Sequence, residues 1–215
     1  MSSGVRWLTL SQLRAQPADA PIEAQVVAVM PYLREDAARQ AAELMLSRAG
    51  APLLVLAVFD DERAGPMVIW NCAISRIRSP YFIYCAEDAF AGRYWLRYAL
   101  QAMQQPGAGL LAFNDGKWFG QLAAFGLVRR TWLAPIYGGA LFHPDYAQHY
   151  GDTELTLIAR QQQALVYHPH ALLIEVDYMK DRRPVNAADH HLFQKRSEHG
   201  FDNLVHDAKL RKCVA

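Results

Sequence analysis

Three short hydrophobic runs constrain this chain more than anything else in it, because each breaks off into polar residues. Residues 24–30 lead into Pro31-Tyr32-Leu33-Arg34, residues 53–59 into Asp60-Asp61, and residues 81–86 into Glu87-Asp88. Each run is rich in Val, Ile, Leu or aromatic residues and precedes helix-compatible sequence, the pattern of buried parallel strands in β-α units. The expectation is an α/β domain with a Rossmann-type, mostly parallel sheet flanked by helices. In such open sheets ligands bind beyond the carboxyl ends of the strands, where the strand order reverses. The acidic tips at 60–61 and 87–88 are therefore expected to converge on one crevice, where a metal ion and a nucleotide would sit.

The rest of the chain fits that plan. Residues 35–49 place Ala38, Ala41, Ala42, Met45 and Ala49 near a 3.6-residue period, and Gly50 follows as a helix terminator. Further helices are expected over 67–78, 92–105 and 152–163, and in the tail from Asn186. Strands are expected over 109–113, 122–129, 164–167 and 172–176. The length of 215 residues suits one domain. A polar lead-in over 1–23, with one apolar turn at 5–10, precedes a single domain over 24–215.

Composition removes several function classes. Twenty-two basic and 21 acidic residues give a net charge of +1, so attraction to a polyanion such as a nucleic acid is not expected. Arg129-Arg130 and the cluster at 180–183 read as solvated loop charges. Cys72, Cys85 and Cys213 are odd in number and form no CxxC pair, which suits reduced thiols in a cytoplasmic protein. No apolar run approaches the roughly 20 residues of a membrane span. Ser11, Gln12, Arg14 and Gln16 interrupt any signal-peptide core near the start.

Beyond the runs, several short segments recur in a telling order. Asn71-Cys72-Ala73 stands about ten residues after Asp60-Asp61. Ala86-Glu87-Asp88 is followed by Trp95-Leu96. Phe113–Gly116, a His-Pro-x-Tyr-x-x-His-Tyr stretch over 143–150, and Asp152-Thr153-Glu154-Leu155 come later. This series, spanning about 24–205, resembles the GT-A fold of the inverting family-two nucleotide-sugar glycosyltransferases, and small phage and bacterial members most of all. The chain departs from that family at Ala86, where the acidic triplet ordinarily opens with Asp, and at Gly151, where a Glu ordinarily precedes the base.

The resemblance implies a sugar transfer from a nucleotide-diphosphate donor, a UDP-sugar first among them, to a glycan, lipid or protein acceptor. A divalent cation, Mn2+ or Mg2+, neutralises the leaving pyrophosphate in such reactions. Asp88 is the expected metal ligand, with His170 of His168-Pro169-His170 as a second. Pro31, Asp60, Asp61, Asn71, Glu87 and Asp115 are expected around the donor. Asp152 is the expected general base, with Glu154 in reserve. Plainer roles compete for each: helix caps for Glu87, Asp88 and Asp152, an acidic turn at 60–62, local hydrogen bonding for the histidines, and a turn at 114–116. Trp118, Phe119 and Trp132 suit either the core or a sugar-stacking face. Two rival functions remain open. A catalytically degenerate binding module of the same fold is suggested by Ala86 and Gly151. A nucleotidyltransferase is disfavoured, because 31–35 lacks the Gly-rich loop such enzymes carry.

Overall fold

The structure, a computed structural model, describes residues 3–17, 19–176 and 184–212. Its strands are β1 (Gly4–Thr9), β2 (Ile22–Glu23), β3 (Val26–Tyr32), β4 (Leu54–Phe59), β5 (Ile77–Arg78), β6 (Tyr81–Tyr84), β7 (Ala89–Ala91), β8 (Leu110–Asn114), β9 (Gly126–Arg129) and β10 (Leu165–Glu175). The helices that matter here are α1 (Leu10–Arg14), α2 (Glu35–Arg48), α3 (Pro66–Arg76), α4 (Trp95–Ala102), α5 (Arg130–Leu133), α6 (Gly151–Gln161) and α7 (Ala187–Glu198).

Eight strands form one sheet in the order β1-β4-β3-β6-β9-β8-β10-β7, and β2 pairs separately with β5. Pairings among β1, β4, β3 and β6 are parallel, as is β8 with β10, while β9 and β7 run antiparallel to their neighbours. Alternate residues of β3 face opposite layers, as strand geometry requires. Val27 and Val29 join the core under α1, α3, α6 and Phe193 of α7. Val26, Ala28 and Met30 join the core under α2 and α4. Because β4 lies on one side of β3 and β6 on the other, the strand order reverses between β3 and β6. That reversal opens the crevice at their carboxyl ends.

The three hydrophobic runs are β3, β4 and β6, and Ala38, Ala41, Ala42 and Met45 are the buried face of α2. Four details differ from the expectation. The apolar turn at 5–10 is an edge strand, β1, in register with all of β4. It buries Leu10 and Leu13 of the following helix, so part of the lead-in belongs to the core. Helix α3 stops at Arg76, and Ile77-Arg78 turns extended to pair with β2. A short strand, β7, precedes α4 because Ala89–Ala91 finds β10 as a partner. The two strands expected at 164–167 and 172–176 are one strand, with a register shift between Tyr167 and Leu172 around Pro169, which cannot donate to a ladder.

Candidate active site

Two loops face each other across the crevice, and Glu87 ties them together. Its carboxylate accepts from the Leu33 and Arg34 backbone N–H groups at 2.6 and 2.8 Å and from Arg34 Nε at 2.6 Å. The turn after β3 is thereby fixed against the turn after β6. Pro31 lies just behind it, buried in β3 opposite Val58.

Asp88 comes next and is only 8% exposed. Its carbonyl accepts from Val176 N at 3.0 Å, just beyond the end of β10. On the other flank of the same strand, Glu175 N donates to the Asp115 carbonyl at 3.3 Å. Two strand spacings therefore separate Asp88 from Asp115, about 10 Å.

Asp152 reaches the same end of the sheet from α6. It occupies the first turn of that helix, and its carboxylate accepts from Thr153 N at 2.9 Å. The helix start is anchored through Thr156, whose hydroxyl donates to the Asp152 carbonyl at 2.7 Å and accepts from Ala123 N at 3.1 Å. The Ala123 carbonyl in turn accepts from Tyr84 Oη at 2.6 Å, at the end of β6. Burial, and secondarily the Asp152 carboxylate, push the Tyr84 phenol well above its ordinary value. Asp88 follows the end of β6 by four residues, and Asp152 connects to that same strand end through Thr156, Ala123 and Tyr84. The departure at Gly151 has a packing cause. A Cβ there would lie 2.9 Å from Met67 Sδ and from Phe142 Cγ, so the position has no room for the family's Glu.

The remaining expected residues serve the backbone. Asp60 accepts from Ala64 N and Gly65 N, both at 2.9 Å, and so closes the loop before α3. Asp61 accepts from Ser11 N at 3.2 Å at the start of α1, and hydrogen bonding from Ser11 holds its carboxyl below the ordinary value. Asn71 pairs with both backbone groups of Phe142, donating at 3.0 Å and accepting at 2.9 Å. Asp115 Oδ1 accepts from Lys117 N and Trp118 N at 2.9 and 2.7 Å, which makes the 114–118 turn.

Glu154 is the clearest correction. At 1% exposure it faces inward rather than toward the crevice, so it is not a reserve base. Arg196 of α7 grips it at 2.7 and 2.9 Å, while Tyr137 and Tyr146 donate their hydroxyls to it. Burial pushes the Glu154 carboxyl up against the pull of Arg196, and four donors surround it. On Arg196, burial pulls the other way, but Glu154 and then Asp202 outweigh it and hold the guanidinium above its ordinary value.

His170 is corrected too. It lies six residues back along β10 from Val176, which places it roughly 15–20 Å from Asp88. There it packs against Tyr98 of α4 and His168, with ring centroids 5.4 and 5.7 Å away. The two cannot share a cation. Among the described residues, no three His, Cys, Asp or Glu side chains come together as a metal cage. A single buried carboxylate still suits a hard divalent cation that keeps its waters and the phosphate oxygens of its substrate. The expected loop charges Arg129 and Arg130 instead donate to backbone carbonyls of 108, 79 and 74. The cluster at 180–183 lies outside the described residues.

Sequence reasoning missed Asp189 and Arg196. Asp189 of α7 is buried and accepts from three successive N–H groups, those of Ala147, Gln148 and His149, at 3.1, 2.8 and 2.8 Å. Tyr150 adds a 2.7 Å hydrogen bond to His190. Helix α7 therefore holds the segment that leads into Asp152.

No family model matches the sequence, and no curated protein matches it either. Solved structures do match in shape. A Pyrobaculum calidifontis mannosyltransferase in complex with GDP-mannose and Mn2+ shares 16% identity at a TM-score of 0.54, over 88% of this chain and 67% of that one. Glucosyl-3-phosphoglycerate synthase from Mycobacterium tuberculosis, with Mg2+ and UDP, gives 14% identity and 0.57, over 96% and 88%. A Drosophila galactosyltransferase 7, with manganese, UDP-galactose and xylobiose, gives 13% and 0.56, over 78% and 79%. The fold is that of the GT-A glycosyltransferases.

One expectation about the site reverses in this geometry. Replacing Asn71 by Ala strands the Phe142 backbone pair, so stability is expected to fall by about 1–3 kcal/mol. For a chain of this size that lowers the melting temperature by about 2–12 °C. Nucleotide affinity, measured on the same variant, should hold. Lost affinity with unchanged melting would return Asn71 to the donor site.

Proposed function

We propose that this protein is an inverting, metal-assisted glycosyltransferase of the family-two type, acting on a nucleotide-diphosphate sugar, with UDP-sugars first in order. The observation that supports this reading is that Asp88 follows the end of β6 while Asp152 is linked to the same strand end through Thr156, Ala123 and Tyr84, in a fold whose solved neighbours hold nucleotides and divalent ions. The donor lies over the turn at 31–34 that Glu87 secures. Asp88 would hold the cation, which when bound neutralises the leaving pyrophosphate. Asp152 takes the proton from the acceptor hydroxyl as that oxygen bonds to the anomeric carbon, and the bond from that carbon to the phosphate oxygen breaks. A cytoplasmic setting and a single domain that takes in β1 and α1 complete the proposal. No helix among the described residues is long and apolar enough to cross a membrane.

A binding module that has lost catalysis is the second reading. Ala86 in the triplet favours it.

A thermal-shift and calorimetric screen of UDP-, GDP-, CMP- and dTDP-sugars, with and without Mn2+, tests the proposal. One nucleotide should bind more tightly with Mn2+, and Asp88→Asn should abolish that gain because it removes the charge while keeping the shape. Mn2+ dependence that survives in Asp88→Asn would move the ligands elsewhere. No response to any donor would reject glycosyl transfer.

A further inference from the structure

The loop between β8 and β9 displays two aromatic rings that the core does not claim. Trp118 is 39% exposed and Phe119 is 61% exposed. Trp132, the third aromatic grouped with them in sequence, is partly buried against the core and donates to Gln162.

We propose that Trp118 and Phe119 form an acceptor subsite whose ligand is a saccharide stacked on their faces. The proposal rests on the glycosyltransfer reading above and names the acceptor class for it. Its first support is rigidity. Asp115 pins Lys117 N and Trp118 N, Asn114 Oδ1 accepts from Gly116 N at 3.2 Å, and Gln121 N donates back to the Trp118 carbonyl at 2.9 Å. Phe119 is held at φ 48°, a left-handed conformation that is strained for a bulky residue and persists where surroundings enforce it. Gly120 follows at φ 83°, with no room for a side chain: a Cβ there would sit 2.6 Å from the Tyr167 ring. A pre-organised aromatic face loses little entropy when a ligand lies on it.

Position is the second support. The loop leaves the sheet at Asp115, about 10 Å across β10 from Asp88. It returns at Ala123, which is tied through Thr156 to the first turn of α6 and so to Asp152. The two rings therefore ride on a segment that runs from Asp115, two strand spacings from the candidate metal carboxylate, to the anchor of the helix that carries the candidate base. An acceptor whose hydroxyl meets Asp152 while its donor sits at Asp88 lies alongside that segment.

Chemistry and size select a sugar. Aromatic faces carry partial negative charge and suit the C–H face of a pyranose. Lys117 Nζ, 5.3 Å from the Trp118 ring centroid, adds a hydrogen-bond donor for hydroxyls. Two rings make a small patch, far below the roughly 800 Å² per partner of a stable protein interface.

The test uses the full chain saturated with UDP or GDP and Mn2+, and maltose, cellobiose, lactose and chitobiose as probes. Saturation-transfer NMR should show contact with at least one disaccharide. Trp118→Ala should weaken that binding about five- to tenfold, as expected for a ring's worth of buried area. Phe119→Ala should weaken it too, Trp118→Phe should retain most of it, and nucleotide affinity should hold throughout. Neither ring belongs to the core clusters, so each variant should still fold and bind nucleotide, and Trp118→Phe keeps much of the buried part of the ring. A disaccharide contact indifferent to both alanine changes would overturn the proposal, as would no contact in nucleotide-saturated protein. Capture of phosphatidylglycerol vesicles that Phe119→Ala abolishes would overturn it in favour of a membrane contact. Failure of every nucleotide to bind would instead remove the glycosyltransfer reading beneath it.

Discussion

Arg196→Met is expected to destabilise this protein by about 3–5 kcal/mol, because it leaves the Glu154 carboxylate buried without its counter-charge. For a chain of this length that is a fall of about 6–20 °C in melting temperature. The effect is large for a surface-sounding substitution in a tail helix, and its cause is desolvation rather than the strength of the pair. The second half of the experiment makes that distinction. Glu154→Leu combined with Arg196→Met removes both charges, and replacing a buried pair with apolar residues is often close to neutral. The double variant should melt above the single one, short of the parent because Tyr137 and Tyr146 lose their acceptor. A single variant within about 1 kcal/mol of the parent would show that water reaches Glu154, contrary to its burial.

Asp152→Asn has the other large expected effect, on turnover rather than stability. A general base contributes about 10²–10⁴-fold to rate and little to ground-state binding. Release of nucleoside diphosphate from the donor should slow by that factor, while nucleotide affinity stays within about twofold. The amide keeps the shape and can still accept from Thr153 N, so the helix start should survive the change. If turnover persists in Asp152→Asn, the base lies elsewhere. If the parent binds nucleotide and never turns over with any acceptor, the degenerate-module reading prevails.

How far the sequence was legible follows from what each residue interacts with. Strands β3, β4 and β6 were readable because a buried parallel strand must be apolar on both faces, and their shortness and their Val, Ile and aromatic content set them apart from a buried helix. The edge strand β1 was not. Its Val5, Trp7 and Leu8 alternate with polar residues over too few positions to stand apart from a lead-in. The carboxylates at 60, 61, 87 and 115 each follow a strand, but spacing does not reveal whether an acceptor faces a ligand or a backbone N–H. Here each meets the backbone. Helix α7 concealed the most. Asp189, Phe193 and Arg196 fall four and three residues apart and form its buried face. Two of the three are charged, so the face looked like solvent-exposed surface. A charged residue at core spacing was the available signal, and it requires a partner of opposite charge or a row of donors to be recognised.

The grip of α7 on α6 also sets an order of events during synthesis. The sheet from β1 to β10 and helix α6 all precede residue 187 in the chain, so they are synthesised before Asp189 and Arg196. Until those residues arrive, Glu154 has only two tyrosine hydroxyls for company, and the amides of 147–149 lack their carboxylate. Helix α6 cannot settle with an ionised Glu154 against the sheet in that interval without the cost of a buried lone charge. Helix α6 thus reaches its packed state only after α7 has been made. The candidate base on α6 is then fixed only when α7 closes over that helix.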